Sequence, residues 1–357
     1  MNKRTLKLVT LVSSSLLLLS LTACESVKFY SQAAQGHSQI MLQRQPIQHV
    51  INAPETTITT RNKLATVQAA RDFAINHLKL PNNGSYTQYV DIKRPYVVWN
   101  VVATKAHSTK PIQHCFPIAG CVSYRGYFSQ QAAHAYANQL KAQGYDTIIS
   151  GAAAYSTLGW FSDPVLNTML RRSDLALAGL IFHELAHQQV YQAGDTAFNE
   201  SFATAVEQAG IDAWAKHQQH SPDALQQYRQ AKKINANVVA LILKHRQQLE
   251  QSYQALLPTD LVGLENAKKE GIAALQQEYK AMSLAGKGSK GYDRWFAQPL
   301  NNASLVLFGD YHGWLGAFEN LLAQSQGDWS RFYEKVEALA KLDKKARTRA
   351  LQNLQAP

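Results

Sequence analysis

His183, Glu184 and His187 stand together in His183-Glu184-Leu185-Ala186-His187, the HExxH pattern. On an α-helix, residues four apart lie one above the other, so the two imidazoles can converge on a single metal ion. Glu184 is about a hundred degrees round from His183. From there it can reach a metal-held water without becoming a ligand. That set of groups suits hydrolysis, in which the ion activates water and the carboxylate moves its proton. A chain with 12 histidines in 357 residues meets the pattern by accident roughly twice in a hundred such chains. The surroundings of the motif therefore decide its meaning.

Those surroundings read as a helix on grounds independent of the motif. Ser173 is a good N-cap, Asp174 complements the positive end of the helix dipole, and Gly194 supplies a stop. Leu180, Ile181, Phe182, Leu185 and Ala186 flank the motif, which implies a largely buried helix. Two histidines and a carboxylate in that setting are costly unless paired or metal-bound. Zinc in a catalytic site takes three protein ligands and keeps a fourth position open. A turn at Ala193-Gly194 leads to a second helix carrying Asn199 and Glu200. Helix, short turn and antiparallel helix can bring Glu200 back to the ion as third ligand.

HELAH followed by Phe198-Asn199-Glu200-Ser201-Phe202-Ala203-Thr204-Ala205-Val206-Glu207 resembles the gluzincin metallopeptidases, whose third ligand is the glutamate of an N/G-E motif on a later helix. More narrowly, the chain resembles a family of bacterial lipoproteins labelled as aminopeptidases. That resemblance runs over nearly the whole chain after the leader, including the stretches 120–128 and 151–168 and Asn301-Asn302-Ala303. It implies Zn2+ as cofactor, a peptide as substrate, His183, His187 and Glu200 as ligands and Glu184 as general base. It also implies a zincin-like fold with the HExxH helix between two lobes.

The sequence departs from the gluzincin pattern in two places. Thr204 stands where an aspartate often orients the first histidine, and the interval from His187 to Glu200 is short. Glu207, two turns beyond Glu200, can take over the orienting task, with Asn199 as a further supporting residue; the other reading of Glu207 is a plain surface acid. Gluzincins commonly stabilise the oxyanion with a tyrosine or histidine from a later helix, which points to Tyr311 first and His312 second. The same residues also fit an aromatic helix end packed between lobes. Tyr155, in a glycine- and alanine-rich stretch, is a candidate substrate contact if that stretch is a sheet edge that pairs with an extended peptide; a tightly packed strand and turn explains it equally well. Aminopeptidase activity follows from the family resemblance alone. The same residues would serve an endopeptidase acting on misfolded envelope proteins. A lipoprotein scaffold holding structural zinc is opposed by Glu184, since such a site needs no base and normally has four protein ligands.

Lys3, Arg4 and Lys7 precede an apolar run from Leu8 to Leu21 that ends in Leu21-Thr22-Ala23-Cys24. This reads as a secretory signal over residues 1–23, too short for a comfortable span of about 20 residues. Its end resembles the lipobox of bacterial lipoproteins, which implies lipidation and cleavage at Cys24 and a stable membrane anchor. Glu25 follows instead of an aspartate, which favours the outer membrane, facing the periplasm. Without the three basic residues of the signal the formal charge falls from +11 to +8. The remaining basic residues are scattered, and an exported protein is an unlikely partner for nucleic acid. Of three cysteines, Cys115 and Cys121 remain as a pair; a disulfide suits the compartment, and two thiolate ligands near His114 are the weaker alternative.

No Pro/Gly/Ser-rich linker divides the rest. The pattern predicts an α+β protein, mostly α: an anchor-proximal segment 24–45, then one zincin-like body over 46–357. A mixed α/β lobe over 46–165 has strands at 96–103 and 145–150 and a helix at 130–143. A helical lobe follows over 166–357, with helices at 166–192, 197–217, 222–256 and 261–282 and shorter ones over 301–324 and 329–354.

Overall fold

A computed structural model describes residues 27–116, 120–157, 160–308 and 313–355. Cys24, Tyr311 and His312 lie outside the described residues. Residues 27–42 form helix α1, followed by β1 (Gln45–Pro46), α2 (Ile47–Asn52), α3 (Ile58–Asn76), β2 (Gln88–Val90) and β3 (Val98–Lys105). Next come β4 (His114–Phe116), β5 (Gly120–Val122), β6 (Arg125–Tyr127), α4 (Gln130–Ala142), β7 (Tyr145–Ala152) and β8 (Val165–Leu166). Helices then take over: α5 (Asp174–Gln189), α6 (Thr196–His217), α7 (Pro222–Gln254), α8 (Leu261–Met282), α9 (Lys290–Phe296) and α10 (Asn302–Leu305). The last three are α11 (Leu315–Gln324), α12 (Trp329–Ala340) and α13 (Lys344–Gln355). The protein is α+β with helix predominating, as its patterning predicts.

Among the described residues the strands form three small units instead of one sheet. In the order β6-β3-β7, β3 is paired antiparallel on both sides. Its Trp99, Val101 and Ala103 pack against Ala133, Ala137 and Leu140 of α4 and against Phe29 of α1. A mixed sheet runs β1-β2-β8, with β2 and β8 parallel. The β4–β5 hairpin brings Cys115 and Cys121 together as Cα partners, with their sulfurs 1.99 Å apart.

The motif helix is shorter than its apolar pattern suggests. Val165 and Leu166 are used as strand β8, and Met169–Arg171 makes a single 3-10 turn. Helix begins only after Ser173, whose Oγ accepts the Ala176 N–H at 3.4 Å, because the cap competes with continued helix upstream. Likewise, the tail helix breaks between Ala340 and Lys344.

The largest core cluster draws residues from Ile40 to Leu351, on both sides of residue 165, and is centred on α3, α5 and α6. Leu177, Ile181, Phe182 and Leu185 of α5 are each 1 % exposed or less and contribute about 1.5–3 kcal/mol apiece. They hold α5 rigidly, while His183 and Glu184 remain half-buried on its other side. On α6, the Phe198 and Phe202 rings pack on Phe318 and Phe332 with centroids 5.2 and 5.9 Å apart. Asp195 caps α6 by accepting the Phe198 N–H at 3.2 Å. Arg347 of α13, 152 residues further on, grips that same carboxylate through Nε at 3.0 Å and Nη2 at 2.9 Å. A second cluster joins α7 and α8 to Phe296 and Leu305. Among the described residues, no helix is long and apolar enough to cross a membrane.

Candidate metal centre

Helices α5 and α6 pack antiparallel and bring the predicted ligands together. Nε2 of His183 lies 3.1 Å from Nε2 of His187, and the Glu200 carboxylate lies 3.4 Å from the first and 3.6 Å from the second. One ligand atom from each of the three fits within 4.8 Å of the others. Two imidazole nitrogens and one carboxylate oxygen form a donor set that zinc accepts. The charges point the same way, since Glu184, Glu200 and Glu207 crowd two rings that cannot both be protonated at this separation. Burial opposes charge on His183, but the carboxylates of Glu200, Glu207 and Glu184 outweigh it and lift its pKa to about 10. Burial and the charge of His183 push His187 down to about 4. Nδ1 of His187 is buried without a hydrogen-bond partner, so this ring has only the ligand-facing nitrogen to work with. The three residues could therefore hold a metal ion.

Glu207 stands where the sequence leaves the orienting aspartate missing. Its Oε2 lies 3.5 Å from Nδ1 of His183, which turns the other ring nitrogen toward the ligand cluster. It is 7 % exposed and is no surface acid. Its Oε1 accepts from Tyr228 Oη at 2.8 Å and pairs with Lys232 Nζ at 2.5 Å. Burial works against its ionisation, yet His183 and Lys232 hold its pKa down at about 2. Gly179, one turn before His183, makes room for this group: a Cβ there would come 3.1 Å from Glu207 Oε1 and 3.2 Å from Tyr228 Oη. Tyr228 and Lys232 belong to α7 and carry no motif, so only the packing of that helix shows them. We expect Glu207→Gln to lower metal affinity about 10- to 100-fold, the usual loss for a partner behind a ligand. Chelator competition measures it, and unchanged affinity would remove Glu207 from the centre.

Asn199 works elsewhere. Its side chain accepts from the Gln192 N–H at 2.7 Å and donates to the Gln192 carbonyl at 2.8 Å. It fastens the turn that delivers Glu200 and makes no hydrogen bond with the histidines. The hairpin braces this turn from outside, since a Cβ on Gly120 would lie 3.0 Å from the Gly194 nitrogen. Between Cys121 and Tyr124 on the hairpin side and Tyr191, Asn199 and Glu200 on the other lies a cleft of about 470 Å³. Tyr191, whose ring centroid is 6.3 Å from that of His187, lines the cleft and went unmarked in the sequence. Tyr155 does not line it; its ring packs edge-on against Phe128 at 5.4 Å and His37 at 6.0 Å.

Glu184 lies beside the ligands and is not one of the three. Burial, with the nearby charges of Glu200 and Asp163, raises its pKa to about 7 against the pull of His183 and Arg172. A carboxylate so placed is a stronger base than one in water. No curated protein and no solved structure matches the chain. Residues 28–351, which include the HELAH segment and Glu200, match the family described as "Putative aminopeptidase", and the chain belongs to that family.

Proposed function

We propose that the protein is a zinc-dependent peptidase of the gluzincin kind, with a zincin-like arrangement about α5 and with aminopeptidase activity. The observation that carries this reading is the convergence of His183, His187 and Glu200, with Glu184 next to them in sequence but outside the ligand set. Zinc held there would polarise a peptide carbonyl and acidify water. Glu184 takes the proton as the water oxygen bonds to the carbonyl carbon. It returns that proton to the amide nitrogen as the C–N bond breaks. Glu207 keeps His183 aligned, and Asn199 keeps Glu200 in place. Tyr311 or His312 is the proposed oxyanion donor; in support, the Trp314 N–H donates to Ser201 Oγ at 3.1 Å, one residue beyond Glu200.

Selecting a free amino terminus takes a carboxylate near the ion. Among the described residues lining the cleft, Glu200 is the only carboxylate, and it is committed to the ligand set. This keeps an endopeptidase as the second reading. Purified protein given matched peptides with free and N-acetylated amino termini separates the two: an aminopeptidase cleaves only the free form, and equal cleavage of both establishes the endopeptidase.

We further propose lipid attachment at Cys24 and residence on the outer membrane, facing the periplasm. The Cys115–Cys121 pairing supports an oxidising compartment. Cys24→Ala should move the protein from the membrane fraction to the soluble one, and retention by the membrane would overturn the anchor.

A further inference from the structure

Glu184 shares its surroundings with a tyrosine that has no marked place in the sequence. Tyr86 lies in the loop 82–87, which is tied down on every side. Arg71 Nε donates to the Ser85 carbonyl at 2.8 Å, and the Tyr86 N–H donates to the Asp163 carbonyl at 2.7 Å. Asn83 Nδ2 donates to Gln188 Oε1 at 2.7 Å. Gln188 is one helical turn beyond Glu184 on the same face of α5, so this loop covers the side of the helix that carries the base.

Three features of Tyr86 are hard to explain as simple packing. Its φ is 63°, the left-handed region that a bulky residue enters only when its surroundings force it, as at functional sites. It is 2 % exposed. Its hydroxyl makes no hydrogen bond to a described residue, so it is left for a partner outside the packed core. Glu184 shows the complementary lack, with no hydrogen-bond donor to its carboxylate among the described residues. Burial, then the negative charges of Glu184 and Asp163, keep the Tyr86 hydroxyl protonated. A donor without an acceptor and an acceptor without a donor thus occupy one region of the fold.

We propose that Tyr86 is a positioning residue for Glu184: its hydroxyl donates through one water to the carboxylate and fixes the rotamer from which Glu184 works. The inference rests on the peptidase reading. Tyr86→Phe removes only the hydroxyl and keeps the ring in the core. We expect kcat to fall about 10- to 100-fold, with KM, zinc content and melting temperature close to the parent values. Combined with Glu184→Gln, the change should add no further loss, because the group it serves is already gone. Parental kcat in Tyr86→Phe would overturn the inference, as would a fall in kcat accompanied by a lower melting temperature, which marks a structural role. Loss of the same factor with and without Glu184 would overturn it too. The two ideas fail separately: turnover that survives Glu184→Gln sinks the peptidase reading, whereas an inactive Glu184→Gln beside a fully active Tyr86→Phe sinks only the role of Tyr86.

Discussion

Glu184→Gln should bind zinc as the parent does and lose roughly 10²- to 10⁴-fold in kcat, the usual contribution of a positioned base. The amide nearly matches the carboxyl in size, so the half-buried site keeps its packing. It cannot accept the water proton. Because Glu184 lies outside the cluster of His183, His187 and Glu200, metal content is expected to stay the same, and that separates loss of the base from loss of the ion. The change also removes one of the carboxylates crowding the site, so melting temperature should hold or rise, as is common where function and stability conflict. Zinc analysis beside turnover on a peptide library checks both halves. Undiminished hydrolysis would mean that the bond is broken elsewhere.

The second large effect concerns the ion itself. His187→Ala should abolish stoichiometric zinc and with it all hydrolysis, since two remaining protein ligands make a poor zinc site. Stability gives an independent readout. Zinc at a hundred to a thousand times its Kd should stabilise the parent by about 2.7–4.1 kcal/mol, or roughly 5 °C in Tm for a chain of this size. The variant should not respond. Without metal the variant should melt no higher than the parent, because the change empties a buried position and removes the ring nitrogen 3.1 Å from that of His183; the response to zinc, compared within each protein, is therefore the readout. A zinc-dependent rise in Tm that survives in His187→Ala would place the ion at other residues.

The ligand set was legible because it is local. HELAH brings two candidate ligands and the proposed base together through helical spacing alone, Ser173 marks where the helix starts, and Glu200 follows after one short turn. Glu207 was half legible: its spacing put it on the correct face, but its burial and its contact with His183 depend on how closely α5 and α6 approach. Lys232 and Tyr228 of α7 and Tyr86 of the loop 82–87 were not legible, since they belong to elements outside the motif helices whose docking no local pattern encodes. The loop Asn82-Asn83-Gly84-Ser85 reads as a turn, yet nothing in its composition places the positive φ on the following tyrosine. The short strands were not legible for a related reason. The β-branched runs announce strands, but pairing partners are set by tertiary contacts, and the short pieces β1, β2 and β8 carry almost no pattern.

The grip of Arg347 on Asp195 has a bearing on time. A polypeptide is made from its amino end, so the HELAH segment and Glu200 emerge long before residue 347. Until α13 arrives, the cap at the start of α6 lacks its partner, and Phe198 and Phe202 lack the rings of Phe318 and Phe332 that seat them. An unfinished chain therefore holds all three candidate ligands before the contacts that seat α6 are complete.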